Sequence, residues 1–276
     1  MLTFVEAISL AGDRAKQNDD ACGFARGKAW VIDGATDLHD APLTGWASDA
    51  AWIAHFANAC LHGADMDEVR AAVRQASLAA SAAFARIAGG FDSERWKLPI
   101  ASLLIVTECE EGVAGLDLGD CRAFALDAGG EAFSIGGHDE AAGAETQLAA
   151  QQTDADLPLL KRAATIEMLR RMRAAQNGAG GSWTFSLDPA CADHARAWRL
   201  RLKRPARLLL MSDGFAALAD RYGAYDAGAL VRAAFDRGLQ ELTRELRAIE
   251  AADAAGARHP RFKRSDDATA LLLRLD

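Results

Sequence analysis

The sequence has no CxxC pair and no HExxH, and its five cysteines (Cys22, Cys60, Cys109, Cys121 and Cys191) are odd in number and widely spaced. That excludes a zinc ribbon and the HExxH metalloproteases, and it fits free, mostly buried thiols in a reducing cytoplasm. It has no GxGxxG and no GxxxxGK[ST], so loops that cradle nucleotide phosphates lack support. No apolar run approaches the roughly 20 residues that span a bilayer. The first residues, MLTFVEAISLAGDRAKQ, lack the basic start of a secretory leader and soon turn polar. Positive charge is in deficit, 31 Lys and Arg against 39 Asp and Glu, a formal charge of −8. Such a surface argues against nonspecific nucleic-acid binding. No internal repeat and no long linker interrupts the chain, so residues 1–276 read as a single domain.

Apolar residues make up half of the chain and charged residues a quarter, ordinary values for a globular protein. Strand-like runs cover Leu2–Leu10, Ala29–Ile32, ASLLIVTE, VAGLDLG, CRAFAL, EAFSI, ARAWRLRLKR, RLLLMSDG and the final DDATALLLRLD. In ARAWRLRLKR, Trp198, Leu200 and Leu202 point one way and Arg199, Arg201 and Lys203 the other, a strand with one solvated basic face. Helical periods run through Trp46, Ala50, Ile53, Ala57 and Cys60, and through Val69, Val73, Ala76, Ala80, Phe84 and Ile87, where Gly89–Gly90 stops them. A basic helix is expected over Leu159–Ala175 and one long helix over Ala227–Ala251. The loosest stretch is Gly136–Thr153. Strands cluster with helix pairs between them, which predicts an α+β protein: antiparallel sheets covered by helices.

The most informative feature is where the acids stand. In KAWVIDGATDLHD an apolar run stops on Asp33, with Gly34 next. An Asp-Gly pair is a favoured hairpin turn; a carboxylate at a strand end is also a rigid ligand. The pattern recurs. Asn18-Asp19-Asp20 precede ACGFA, Asp120 ends GLDLG, Asp213 ends LLLMS, and Asp266-Asp267 begin ATALLLRL. Each has an ordinary reading: Asp19 and Asp20 in a solvated loop, Asp120 paired with Arg122, Asp213 capping a helix, Asp266 facing water. Taken together, carboxylates gathered in one place repel each other unless a cation sits among them. Hard divalent ions such as Mg²⁺ and Mn²⁺ take such oxygen ligands, and two that share carboxylates form the clamp used in phosphoester hydrolysis.

In order along the chain, NDD, VIDG, ASLLIV, LGDCRAF, LLLMSDG and DDAT resemble the motifs of the metal-dependent protein serine/threonine phosphatases of type 2C (PPM-type), over about residues 12 to 275. The resemblance implies a four-layer α-β-β-α sandwich, two antiparallel sheets flanked by helix pairs, with two Mn²⁺ or Mg²⁺ ions at one end. Asp33 would bridge the ions, the Gly34 carbonyl would bind one, and Asp213 and Asp266 would hold the other; Asp33, Asp213 and Asp266 would thus carry catalysis. Asp19 matches a family Glu that acts through bound water, Asp20 the acid after it, and Asp120 a ligand of a third, weaker ion. Asp267 would orient Asp266. The implied reaction is hydrolysis of phosphoserine and phosphothreonine in a phosphoprotein, in bacterial cytoplasmic signalling alongside a Ser/Thr kinase, with no nucleic-acid or membrane partner.

The sequence also departs from the family. Where a phosphate-binding arginine is expected stands Ala15, leaving Arg14 and Lys16 on either side as candidates. Asp19 is one methylene shorter than Glu. Ala35, Thr36 and Asp37 follow the Asp-Gly pair where the family commonly has a histidine and glycines, and His39 lies a few residues on. These departures keep open a catalytically weak, regulatory member of the family and a hydrolase of small phosphate esters.

Overall fold

Strands with apolar residues on both faces must be covered on both faces, and that requirement sets the architecture. In a computed structural model of the chain, which describes residues 1–65, 68–90, 94–137 and 159–276, β3 (Lys28–Gly34) turns Val31 to one core and Trp30 and Ile32 to another. β4 (Ile100–Cys109) splits Leu104 and Val106 from Leu103 and Ile105 in the same way. β10 (Ala206–Met211) and β11 (Ala268–Leu275) repeat the pattern in the other sheet, with Leu208, Leu210, Leu271 and Leu273 facing the sheet opposite and Leu209, Met211 and Leu272 facing helices. Burial on two sides explains why these strands read as continuous apolar runs.

Both sheets are antiparallel among the described residues. One has the order β1 (Leu2–Leu10), β11, β10, β6 (Arg122–Leu126), β7 (Ala132–Gly136). The other has the order β2 (Asp20–Ala25), β3, β4, β5 (Gly112–Leu118), β9 (Arg196–Arg201), and the short β8 (Phe185–Ser186) pairs with β4. α1 (Asp49–Gly63) and α2 (Val69–Ala88) cover the second sheet through Trp52, Ile53, Ala57 and Phe84. α5 (Asp213–Asp220), α6 (Ala227–Arg237) and α7 (Leu239–Ala252) cover the first through Phe215, Leu230, Leu242 and Leu246. The expected four-layer α-β-β-α sandwich is the fold observed. α3 (Ala163–Ala175) and the short α4 (Cys191–His194) lie on the connection between β7 and β9.

Several local expectations change. The long helix over 227–251 is two helices, because Gly238 at φ 83° breaks the path and the Leu239 amide turns to the Glu6 carboxylate at 3.2 Å. Trp46 stands ahead of α1, which begins after Ser48, whose side chain accepts the Ala51 amide; Trp46 is exposed. Ile87 is exposed too. Residues 159–161 form a 3₁₀ turn before α3. The five cysteines are free, but only Cys121 and Cys191 are fully buried. Most of the loose Gly136–Thr153 stretch falls outside the described residues. No helix among the described residues is long and apolar enough to cross a membrane.

Candidate metal centre

The antiparallel pairing delivers the strand-end acids to one end of the sandwich. Asp20, which begins β2, lies directly opposite Asp33, near the end of β3, and Asp33 lies opposite Ser102 in β4. The Ser102 hydroxyl donates to Asp120 Oδ1 at 2.5 Å, which holds the turn after β5 against β4. Ser212, at the end of β10, donates from Oγ to Asp20 Oδ2 at 2.7 Å while accepting the Thr269 amide at 3.0 Å, so the two sheets are tied at this point. The hairpin-turn reading of Asp33-Gly34 is excluded: the pair is inside β3, and the β2–β3 turn is made by Arg26 and Gly27.

Glycine follows Asp33 and Asp213 for a steric reason. A Cβ on Gly34 would lie 2.4 Å from the Ala50 carbonyl oxygen and 2.6 Å from that of Asp19. On Gly214 it would lie 1.9 Å from the Asp267 carbonyl oxygen. Backbones converge on the acidic end so closely that only glycine fits next to the acids.

The charges are unbalanced. Burial, and then the charges of Asp20, Asp213, Asp120 and Asp266, push the Asp33 carboxyl well above the usual carboxylate range. Burial also drives Asp20 upward against the Ser212 hydrogen bond, with Asp267 and Asp266 adding repulsion. Asp19 is pushed up to about 6, by burial first, while a short hydrogen bond from Ser48 opposes the rise. Asp266 differs. Burial works to raise it, but the Lys263 charge and hydrogen bond, with Arg221, hold it below the usual range. Lys263 Nζ lies 2.7 Å from Asp266 Oδ1.

Asp20 Oδ1 is buried and has no hydrogen-bond partner. An orphaned carboxylate oxygen among other carboxylates is costly unless a cation meets it. The donors are all oxygens, supplied by a rigid double sheet, a set that suits a hard divalent ion. The residues therefore fit the ions that the resemblance implies.

One expected role changes, and one ordinary alternative falls away. The Asp267 carboxylate does not reach toward Asp266; it accepts the amides of Gly12 at 2.7 Å and Asp19 at 2.5 Å, pinning the loop before β2, and only its own amide donates to Asp266. Asp120 is not paired with Arg122, which instead binds Asp220 at 3.0 Å. Asp213 is the first residue of α5, behind Ser212 at the cap position.

A cavity of about 810 Å³ opens from the acids. Asp33, Asp120, Asp213 and Asp266 line one side, and Leu38, Leu169, Met172, Trp183 and Phe262 supply apolar wall. α3 is held over it by Arg170, which donates to the Leu38 carbonyl at 2.7 Å and stacks 4.1 Å from the Trp96 ring, and by Arg173, 3.3 Å from the Thr36 carbonyl. Burial pulls Arg173 down to about 10, against the opposing charge of Asp37. Arg14 and Lys16 are exposed and do not line the cavity; its cations are Arg173, Arg196, Arg221, Arg261 and Lys263. Sequence reasoning missed these because none belongs to an acidic motif and the tertiary fold brings them to the cavity from a helix, a strand start and two loops. Lys263 alone carried a local signal, standing three residues before Asp266.

The architecture and the acidic end together define the fold of the PPM-type serine/threonine phosphatases. The solved structure of the Mycobacterium tuberculosis serine/threonine phosphatase PstP/Ppp superposes with a TM-score of 0.60 at 16% identity, covering 100% of this chain and 99% of that one. The PPM Ser-Thr phosphatase MsPP of Mycobacterium smegmatis, in complex with cacodylate, gives 0.56 at 19% identity, over 99% and 100%. The catalytic domain of PstP in complex with two manganese ions gives 0.57 at 19% identity, over 100% and 99%. No protein-family model and no curated protein matches by sequence.

Proposed function

We propose that the chain is a single-domain, metal-dependent phosphatase that hydrolyses phosphoserine and phosphothreonine in proteins. The observation that carries this reading is the mutually repelling set of Asp20, Asp33, Asp120, Asp213 and Asp266, the first buried and the others half-buried, at the end of a sandwich whose fold is shared with PPM phosphatases. Asp33, with the Gly34 carbonyl, Asp213 and Asp266 would hold two Mn²⁺ or Mg²⁺ ions, with Asp19 and Asp20 beside them and Asp120 near a third, weaker position. Bound there, the ions would acidify a water for attack on phosphorus and neutralise the phosphoryl oxygens. The chain's own residues do the rest. Ser102 and Ser212 fix the Asp120 and Asp20 oxygens by donating to them. Asp267 ties the Asp19 loop to the start of β11. α3 walls the cavity and limits water on that side. We place the protein in the cytoplasm of a bacterium, acting on a phosphoprotein in signalling opposite a Ser/Thr kinase.

The test is turnover of a phosphoserine peptide by pure protein with and without chelator. Activity should vanish on chelation and return with Mn²⁺ or Mg²⁺; full hydrolysis in chelator would overturn the reading. The apolar share of the cavity wall, Leu38, Leu169, Met172, Trp183 and Phe262, favours a second reading on the same chemistry, a small phosphate ester with an apolar group. A chamber of this size is typical of small-ligand sites, and a comparison of kcat/KM for the peptide and for an aryl phosphate decides between them.

A further inference from the structure

A phosphate ester is an anion, and the centre just described is lined by carboxylates. Beside the ions that would be bound there, a cationic side chain at the rim can meet the phosphoryl oxygens that the ions leave free. Most of the cavity's guanidinium groups are committed elsewhere. Arg196 binds Asp117 at 2.5 Å, a buried carboxylate of β5. Arg261 binds Asp253 at 3.0 Å and the carbonyls of His259 and Arg264 at 2.9 and 3.0 Å. Arg173 holds α3 to the Thr36 carbonyl.

Lys263 is placed differently. Its ammonium has three donors, and one is directed to Asp266 Oδ1 at 2.7 Å. Asp33 and Asp19 lie near enough for their charges to act on it. The side chain lines the cavity and is 34% exposed. The backbone that carries it is clipped on both sides, by the Arg261 bonds and by Arg247, which donates to the Asp266 carbonyl at 2.8 Å. A lysine held at an open face, with one carboxylate as its hydrogen-bond partner among the described residues, has two donors to offer an oxyanion.

We propose that Lys263 is the residue that binds the phosphoryl group in this centre, donating to its non-bridging oxygens while one proton stays on Asp266. The inference rests on the phosphatase reading above, and it supplies the cation that Arg14 and Lys16 are not positioned to provide. Removing a charge-assisted donor of this kind lowers affinity about ten- to a hundredfold.

The experiment uses the full chain loaded with Mn²⁺, inorganic phosphate as the probe, and calorimetry as the readout, alongside a Mn²⁺ titration of each variant. Lys263→Met should bind phosphate about ten- to a hundredfold more weakly while still binding Mn²⁺. Lys263→Arg, which keeps the charge, should recover most of the affinity, and a paired Arg14→Ala, Lys16→Ala variant should bind phosphate as the wild type does. Unchanged phosphate affinity in Lys263→Met overturns the proposal, as does a loss that follows Arg14 and Lys16 instead. Loss of Mn²⁺ from a folded Lys263→Met would show that the lysine only holds Asp266 in place, and this too overturns it. Wild-type protein that binds Mn²⁺ and phosphate through Lys263 but hydrolyses no phosphopeptide would keep the anion site and refute the phosphatase reading, so the two failures are distinguishable.

Discussion

Two groups of carboxylates stand near the end of β3, and they differ in what their oxygens touch. Asp37, His39 and Asp49 lie close enough together to suggest a metal site. Yet Asp37 accepts the Asp49 and Ala50 amides at 2.8 and 3.2 Å, closing the start of α1, and Asp49 accepts the Leu43 and Thr44 amides and the Thr44 hydroxyl at 2.8, 2.8 and 2.6 Å. His39 completes the group at 3.5 Å from Asp49. In the strand-end group the charges act on one another instead: Asp20 Oδ1 has no hydrogen-bond partner, and four other acids raise Asp33. Carboxylates whose oxygens are met by N–H and O–H donors stabilise a fold; carboxylates that repel one another, with an oxygen left unmet, favour a cation between them. On the proposed reading the first group is architecture and the second the metal site, although both read as Asp-rich sequence.

The sharpest way to break this contrast is to neutralise one acid from each group. Asp213→Asn should lower turnover by at least about 10³-fold, a barrier increase of about 4 kcal/mol, and lose one Mn²⁺ by calorimetry. Its thermal stability should hold or rise, since repulsion is removed. Asp49→Ala should do the reverse. It leaves two amides and a hydroxyl unpaired at a fully buried position, costing about 3 kcal/mol in denaturant unfolding, with Mn²⁺ stoichiometry unchanged. Loss of Mn²⁺ from folded Asp49→Ala would erase the distinction.

The two groups also mark how far the sequence could be read. Strand ends were legible because a sandwich strand buried on both faces is a continuous apolar run, and Asp33, Asp213 and Asp266 terminate three of them. The close backbone approach behind Gly34 and Gly214 was not legible, since glycine after Asp reads equally as a turn. The split at Gly238 was available as a glycine inside a helical period, but the period continued across it. Arg14 and Lys16 were selected by distance along the chain from Asp19, and the loop before β2 leaves both exposed. Arg221 and Arg173 reach the cavity through tertiary packing, which periodicity does not encode, and Lys263 had only its spacing from Asp266 to mark it.

A smaller effect tests Asp120, which stands between the two types: it receives one donor, from Ser102, and also faces Asp33. Because Arg122 is held by Asp220, Asp120 is free of the structural pairing that its GDCR context suggested. Asp120→Ala should keep two tightly bound ions, lose about 1 kcal/mol of stability and cut catalysis by about ten- to a hundredfold. Loss of both ions, or unfolding, would move Asp120 into the architectural group.

The smallest expected effect concerns the proton that a leaving group needs. Ala35 lines the cavity, its amide donating to the Ile100 carbonyl at 3.0 Å, and its side chain has no proton to give. His39 is not among the cavity-lining residues; its Nδ1 lies 2.9 Å from the Ala41 carbonyl and its Nε2 faces Asp49, so it belongs to the architectural group. A serine alkoxide leaves poorly without protonation, whereas a nitrophenolate leaves unaided. General acid assistance is worth roughly 10²–10⁴ in rate. Wild-type protein at fixed Mn²⁺ should therefore show a steep dependence of rate on leaving-group pKa, favouring aryl phosphates. Ala35→His should flatten it, raising the slowest alkyl substrates by about tenfold, short of the full assistance a built-in acid gives, and leaving nitrophenyl phosphate nearly unchanged. A shallow wild-type dependence that becomes steep in His39→Ala would show that His39 supplies the proton after all, and would carry one member of the architectural group across into the chemistry.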